Sequence, residues 1–517
     1  VNDDDLCLAV DLGTGGLKVG LVTMAGAVGA YEVHDIATHF GDDGSATQDA
    51  GEWWDLIVDA ARRLLGSVAG ARERVVAVAV TGQYASTVPV DAAGEPTAEC
   101  VTWLDTRGVR HARRVLGGPI EGYRPGKLLH FVRTTGAVPS VGAGDPVGQI
   151  LYLEAERAEV VARTRWYMEP VDYLTMRFTG VASATHASRV AMWMTDNRVL
   201  DSYRYDQRLL ALVGLTDERL PPLAPIGSLV GSLAPSVATA LGLSGGAVVV
   251  TGVPDVHAAA LGAGATRPYE VHVALSTTSW VSCPVPAKKT DVFHQIAAGP
   301  GLTNDSYLLY DNQETGARAL AWCRDVLAAA GGPPSFDELT ALAATSPPGA
   351  RGVLFTPWLA GERSPVADRH LRGGFTNLSV TTTGADVVRS VMEGVAANSR
   401  WLFGYVERFV GRELSPVRLL GGGAQSELWC QIYADTLDRE VEQVPQPMVA
   451  QLRGAASLAA VALGRRSLEE LSAHRSKGRV FTPDSAEVPG YRRRGEEFVS
   501  LYRRDRRWRR QRGRRSP

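Results

Sequence analysis

The sequence predicts an α/β protein of two lobes with related architecture, and three observations carry that prediction. At 517 residues the chain is too long for a single hydrophobic core. Apolar runs of strand length alternate with amphipathic stretches of helix length along much of it. A strand–turn–strand unit near the start returns about half a chain-length later, an internal echo that points to duplication.

The first such unit is LAVDLGTGGLKVGLV, residues 8–22. Its spelling excludes two familiar phosphate loops. Lys18 is followed by Val19 rather than the Ser or Thr of a P-loop, and the third glycine of a dinucleotide fingerprint counted from Gly13 would fall at Lys18. LKVGLVTM alternates and is β-rich, so a second strand returns from a tight turn and Asp11 ends the first. The N–H groups from Gly13 to Gly16 form either an ordinary turn or a nest for phosphate oxygens. GAVGAYEVHDI then gives a third strand. GEWWDLIVDAARRLLGSV gives an amphipathic helix with Trp53, Leu56, Ile57, Ala60 and Leu64 on its core face. RVVAVAVTGQ is a strand buried on both faces, and its end, TGQYAST, falls where an α/β sheet presents ligand contacts. An irregular stretch from about 108 to 235 reads as an accessory region.

In the second half, GGAVVVTGVPDVHAAALGAG gives a buried strand, a turn with Asp255 and a small-residue helix. Asp255 is either the N-cap of that helix or a functional acid, and the two roles are compatible. EVHVALSTTSWVSCPV repeats strand, hydroxyl-rich turn and strand. RLLGGGAQSELWCQIYADTL reads as a strand, three glycines and a helix capped by Ser426, with Trp429, Ile432 and Tyr433 buried. Arginine dominates the end of the chain, and residues 491–517 are expected to be a disordered tail. Its RRDRRWRRQRGRRSP, with Trp508, is either a solvated run or a contact for RNA or an acidic partner.

Composition narrows the class. Hydrophobic content of 45%, charged content of 21% and a net charge of −2 are those of a soluble globular body with no call for a nucleic-acid partner. The five cysteines (Cys7, Cys100, Cys283, Cys323 and Cys430) are odd in number and far apart, which argues for reduced thiols and against a zinc site. An acidic start running straight into a strand leaves no secretory signal, and no apolar run reaches membrane-spanning length. The expected location is the cytoplasm.

Two candidate phosphate turns (Gly13–Gly16 and Ser276–Ser279), a glycine-rich turn at Gly421–Gly423 and the acid Asp255 are parts that phosphoryl transfer needs. Backbone donors and a cation hold nucleotide phosphates, and a carboxylate accepts the proton of the attacking hydroxyl. The three glycines would let a flat adenine approach the backbone. Asp11 suits magnesium held through water.

The series DLGTGGLK, TQDAGEWW, TGQ, WLDTR, KLL, DYLTMRFTG, GVPDVHAAALGAG, TPWLAGERSP, RSVMEG and GGGAQSELWCQIYADTL resembles the FGGY carbohydrate kinases, most of all the xylulokinase branch, over nearly the whole chain to about 465. The run Gly374–Glu393 is similar to the family's C-terminal signature, with Asp386, Ser390 and Glu393 at matching places. The resemblance implies an actin/hexokinase-like fold of two ribonuclease-H-like domains about a cleft, here divided at 1–252 and 253–490. It implies ATP and magnesium as cofactors, a small sugar or polyol such as xylulose or a related pentulose as substrate, and a homodimer. It assigns Asp11, Gly13, Thr14, Gly15 and Lys18 to the first phosphate motif and its metal, Thr277 and Thr278 to the second, and Gly422, Gly423 and Gln425 to adenosine. Asp255 becomes the catalytic base, and Gln83, Tyr84, Trp103 and Asp105 line the sugar pocket with Arg107 beside them.

The departures are specific. Xylulokinases read G-Q-M-H-G where this chain has Gly82-Gln83-Tyr84-Ala85-Ser86, and Asn where it has Val256. Both changes remove contacts to a pentulose. Ser276 and Ser279 replace glycines in the second turn, and Asn377 stands for glycine in the signature. The leading expectation is an ATP-dependent kinase of a small sugar or polyol. The alternative is a sugar- or nucleotide-binding regulatory protein that has lost phosphotransfer.

Overall fold

The computed structural model describes residues 4–120, 122–243, 246–292, 294–328 and 332–513, with the side chains of residues 507–513 outside that description. Two large sheets organise the described residues. The first runs in the order Leu229–Ser232, Val248–Val250, Val75–Gly82, Leu6–Leu12, Gly16–Thr23, Val28–Asp35, with Val253–Pro254 also pairing with Val75–Gly82. Leu6–Leu12 is apolar on both faces and wholly buried, as a central strand must be. It pairs antiparallel with Gly16–Thr23, in a register that sets Asp11 opposite Lys18, and parallel with Val75–Gly82.

The second sheet contains, in order, Tyr307–Gln313, Ser279–Val285, His272–Leu275, Val417–Leu420 and Val441–Gln443. Its senses repeat those of the first sheet: an antiparallel three-strand meander, then two parallel strands. The echo in the sequence is thus a duplicated topology, the actin/hexokinase-like arrangement, and its strand ends carry the candidate site residues.

Helices cover both sheets. Ala50–Ser67 starts at Asp49, whose carboxylate accepts from the N–H groups of Gly51 and Glu52 at 2.8 and 3.3 Å. It buries Trp53, Ile57, Ala60 and Leu64 as expected, while Leu56 is only half-buried. The opposite face of the first sheet is covered by a helix from late in the chain, Ala450–Ala462, whose Leu452, Ala455, Ala456 and Ala459 pack on Cys7, Ala9, Ala77 and Ala79. That helix also crosses Asp255–Gly262. A Cβ on Gly454 or Gly262 would run into the carbonyl of Ala258 or Ala450, so the two helices meet at backbone distance. Gly384–Val410 and Glu427–Leu437 pack on the second sheet, the latter capped by Ser426 with Trp429, Ile432 and Tyr433 buried. Helices Val109–Leu116, Pro125–Thr134, Pro146–Glu156 and Gln207–Val213 form a separate core within the accessory region.

One expectation is overturned. The segment from 491 is not a disordered tail: Val488–Gly513 is a helix. Its Tyr491, Phe498 and Tyr502 are buried, and Phe498 and Tyr502 lie edge-on to Trp358 at 5.0 and 6.0 Å. Arginine is a good helix former, and three aromatics among the arginines supply an apolar stripe for docking. Residues 514–517 and the side chain of Trp508 lie outside the described residues. All five cysteines are free and buried. No helix among the described residues is long and apolar enough to cross a membrane.

Candidate active site

The first phosphate turn is built by the hairpin itself. Asp11 stands one residue from the end of its strand and is 2% exposed. Lys18 Nζ, opposite it in register, donates to Asp11 Oδ2 at 2.8 Å. Gly13 N–H donates to Gly16 O at 2.8 Å and closes the turn, and a side chain on Gly15 would meet nothing within 4 Å. Thr14, at the crest, is held twice: its carbonyl accepts from Gln48 Nε2 at 2.7 Å and its hydroxyl from Trp103 Nε1 at 3.1 Å.

Beside the hairpin, Val75–Gly82 delivers Gln83 and Tyr84. Gln83 N–H donates to Leu12 O at 2.6 Å and its Nε2 to Gln48 Oε1 at 2.8 Å, while its Oε1 is buried with no protein partner. Tyr84 accepts at 3.5 Å from Asn312 Nδ2, which comes from the second sheet, and its ring lies edge-on to Tyr310. Burial, then the charge of Asp255, push the Tyr84 phenol up to about 12.

Asp255 is not the N-cap that its position after Pro254 suggests. The helix runs Asp255–Gly262, with Pro254 in the cap position making no side-chain hydrogen bond. The carboxylate therefore sits in the first helical turn, where the helix dipole favours negative charge. The residue is half-buried, but its Oδ1 is wholly buried with no protein partner. Burial first, and the charge of Asp11 second, lift the carboxyl to about 7, against the pull of the Val256 N–H and Lys18. A carboxyl that titrates near neutrality beside a cation and a second acid is equipped for general-base work.

Asp105 and Arg107 form a clasp. Asp105 accepts from the N–H groups of Ala46 and Arg107 at 3.0 and 2.9 Å and from Arg107 Nη2 at 2.7 Å, and Arg107 Nη1 donates to Tyr152 Oη. Both Asp105 oxygens are thus engaged within the protein.

The second turn is supported from outside. Gly316 N–H donates to Thr277 O at 3.0 Å, Ala317 N–H to Ser276 O at 2.6 Å, and Ser276 N–H to Thr278 O at 3.0 Å. Thr277 is exposed at the tip. Directly behind lies Gly421, with φ +93°, where a Cβ would sit 2.7 Å from Leu275 O and from Ser276 Oγ. Gly423 packs on the Leu275 side chain, whereas a Cβ on Gly422 would meet nothing within 4 Å. Gln425 Nε2 donates back to Gly422 O at 3.2 Å. Two glycines are there for packing, and the middle one leaves an open face.

The sequence-derived residues therefore gather in two groups. Asp11, Thr14, Lys18, Gln83, Tyr84, Trp103 and Asp255 are linked around the first sheet's strand ends, and Thr277, Thr278, Gly422, Gly423 and Gln425 around the second's. Sequence reasoning missed the residues that join and support them. Arg363 lies 5.0 Å over the Trp103 ring, and its Nε pairs with Glu314 Oε1 at 2.9 Å. Glu362 accepts from the N–H groups of Glu314 and Arg363 and from Asn398 Nδ2, and burial lifts its carboxyl to about 7. Arg363 and Glu362 belong to the quoted TPWLAGERSP and Gln48 to the quoted TQDAGEWW, which were the available signals, whereas nothing in the sequence marks Asn312.

Among the described residues no cluster of three or more His, Cys, Asp or Glu side chains could hold a metal. Magnesium bound with a nucleotide takes only one or two protein carboxylates, the rest of its shell being phosphate and water. Asp11, with Asp255 close enough to perturb, fits that donor set.

Comparison with known proteins shows the family. The model of the FGGY family of carbohydrate kinases, N-terminal domain, matches residues 6–262, and that of the C-terminal domain matches residues 276–463. The chain is 26% identical over 504 residues to a xylulose kinase of Staphylococcus epidermidis, covering 96% of each. It is 24% identical over 468 residues to the gluconokinase of Bacillus subtilis, covering 89% of this chain and 88% of that one. The crystal structure of xylulose kinase from Rhodospirillum rubrum superposes with a TM-score of 0.80 at 25% identity, over 96% of this chain and 98% of that one. The chain belongs to the FGGY family of carbohydrate kinases and is a phosphotransferase acting on a sugar.

Proposed function

We propose that the protein transfers the γ-phosphoryl group of ATP to a hydroxyl of a small sugar or polyol, with Asp255 as general base. The observation that carries this reading is the Asp255 carboxylate. It sits at the strand ends beside the Asp11–Lys18 pair, with a buried oxygen that no protein group satisfies and a proton affinity raised toward neutrality. A buried, unpartnered acceptor costs stability unless a ligand completes it.

In this reading Asp255 Oδ1 accepts the proton of the attacking hydroxyl as the oxygen approaches phosphorus in line. Lys18, the Thr14 hydroxyl and the turn's N–H groups face the phosphates from the first lobe, and Thr277 and Thr278 from the second. Gly422, with Gly423 and Gln425 around it, offers its open face to the adenine. Magnesium, carried by Asp11 through water, would supply charge neutralisation between the phosphates. Tyr84, Trp103 and the unsatisfied Gln83 Oε1 face the acceptor, while Asp105 supports the pocket through Arg107 rather than by direct contact. Tyr84 and Val256 stand where a xylulokinase pocket has other side chains, so the acceptor we favour is a related pentulose or polyol more than D-xylulose itself. A cytoplasmic homodimer, with the two lobes divided near residue 252, belongs to the same reading.

The test is acceptor-dependent ADP release over ketoses, aldoses, polyols and sugar acids, with Asp255→Asn as control. One strong acceptor whose signal is lost in the variant supports the assignment. An Asp255→Asn protein that keeps most of its activity would sink it. Silence across the panel with ATP still bound would favour a regulatory protein that has lost transfer.

A further inference from the structure

Trp103, expected on sequence to face the sugar, commits its polar atom elsewhere. Its indole N–H donates to Thr14 Oγ1 at 3.1 Å, at the crest of the first phosphate turn. A hydroxyl has one proton and two lone pairs, so one that accepts from the indole still has its own proton to give. No protein acceptor for that proton is found among the described residues. The Thr14 carbonyl is already satisfied by Gln48, which is itself held by Gln83. Thr14 is thus held at its carbonyl and hydroxyl oxygens, with the hydroxyl proton left to give, on a turn whose neighbouring Gly15 opens onto free space.

We infer that Trp103 is a positioning residue for the nucleotide: its N–H turns the Thr14 hydroxyl so that the proton points at a phosphate oxygen. The inference rests on reading the first hairpin as a phosphate site and goes beyond it by assigning the side chain that orients the donor. Preorienting a hydroxyl saves the rotor from being ordered when the phosphate arrives. Trp103 is in turn held from the opposite lobe, because Arg363 lies 5.0 Å over its ring and is clasped by Glu314. The indole therefore touches the phosphate turn at its edge and the other lobe at its face, and closure of the lobes over the acceptor fixes the hydroxyl at the same time.

The test needs no knowledge of the sugar. Binding of Mg–AMP-PNP to the full chain is measured by calorimetry for wild type, Trp103→Phe, Thr14→Val and the double variant. Trp103→Phe keeps an aromatic ring for Arg363 and removes the N–H together with part of the indole. It should weaken binding about three- to tenfold, the loss of one hydrogen bond's contribution, and add nothing further in the Thr14→Val background. Equal losses in both backgrounds, or none in either, would overturn the inference while leaving the phosphate turn in place. Thr14→Val that binds like wild type would instead overturn the reading of the turn itself. Should Trp103→Phe fail to fold, Arg363→Met tests the same arrangement. Freeing the ring should then cost about two- to fivefold in wild type and nothing in Thr14→Val, and an equal cost in both would count against us.

Discussion

The two hairpins share a backbone plan and differ in charge. In the first, Asp11 and Lys18 face each other one register step below the turn; in the second, the corresponding pair is Ala274 and Trp280, both buried. Each turn closes on itself, through Gly13 N–H to Gly16 O and Ser276 N–H to Thr278 O, and each is held from outside, the first by side chains and the second by the N–H groups of Gly316 and Ala317. Duplication has therefore preserved the cradle and left the ionic work to one half. Asp255 adds to the same side, since Val253–Pro254 before it pairs with the first sheet. On the proposed function, a site that would hold phosphates and still extract a proton benefits from this separation. In the proposed reading acid and cation stay together where the proton would move, and the second hairpin's turn offers neutral donors.

That contrast is broken or sharpened first at Asp255. Asp255→Asn should lower turnover about a thousandfold while Mg–AMP-PNP affinity stays within about twofold, as read by steady-state kinetics and calorimetry. In the wild type, kcat/KM should fall below about pH 7 because the base must be ionised to work. The linkage sign is opposite for stability. A folded-state pKa of about 7 against an ordinary 3.8 means the fold prefers the protonated acid, so stability declines as pH rises from about 4 to 7. Asp255→Asn should therefore melt higher than wild type at pH 8 and converge with it near pH 4. Equal melting temperatures at pH 8 would show that the carboxylate is not strained in the fold.

The next largest effect belongs to the ion pair. Lys18→Met removes a cation facing the turn and leaves the buried Asp11 unpaired. The expected loss in kcat/KM is about 10²-fold, the scale of one preorganised electrostatic contact in a catalytic site. A loss no larger than that from a second-lobe substitution would erase the proposed division of labour.

How much of this was legible in the sequence follows from the range of each interaction. Asp11, the glycine turn and Lys18 lie within eight residues, so alternation and turn chemistry disclosed them together. The buried run at 75–82 and the helix capped by Ser426 were legible for the same local reason. Asp255 was visible as an acid at a helix start, but the helix begins one residue earlier than its spelling implied, which turns a cap into a first-turn carboxylate with one buried, unpartnered oxygen. Gln48 is 34 residues from Thr14, and Trp103 is 89 residues away, so no local pattern could show that both hold it. The C-terminal helix was misread because arginine content outweighed three aromatics, two of which, Phe498 and Tyr502, meet Trp358 and Trp401 far up the chain.

The adenine side offers a more modest test within the second lobe. Gly422→Leu places a side chain in open space where the nucleotide base is proposed to lie, and ATP should bind about tenfold more weakly with the melting temperature unchanged. Gly423→Ala should do the reverse. Its Cβ would stand 2.5 Å from Leu275 Cγ, so stability should drop while the open face next to it remains. If both variants lose stability alone, the glycines serve packing and the adenine lies elsewhere.

The smallest effect is expected at Thr277, and it decides whether the second hairpin is truly the uncharged partner. Its carbonyl is the atom that Gly316 holds, and its side chain is exposed at the turn's tip. If this half contributes mainly through its backbone, Thr277→Ala should weaken Mg–AMP-PNP only about two- to threefold, within the span of one solvent-competed hydrogen bond. Gly316→Pro deletes the N–H reaching Thr277 O and sets a Cβ 2.4 Å from Thr278 O, so it should cost more than removing the hydroxyl, because the turn loses its outside support and is displaced. The comparison is internal and needs no acceptor, so calorimetry on the two variants suffices. Should Thr277→Ala match Thr14→Val in its cost, the two turns would be equal partners through their side chains. The asymmetry argued from Asp11 and Lys18 would then concern only the metal and the base.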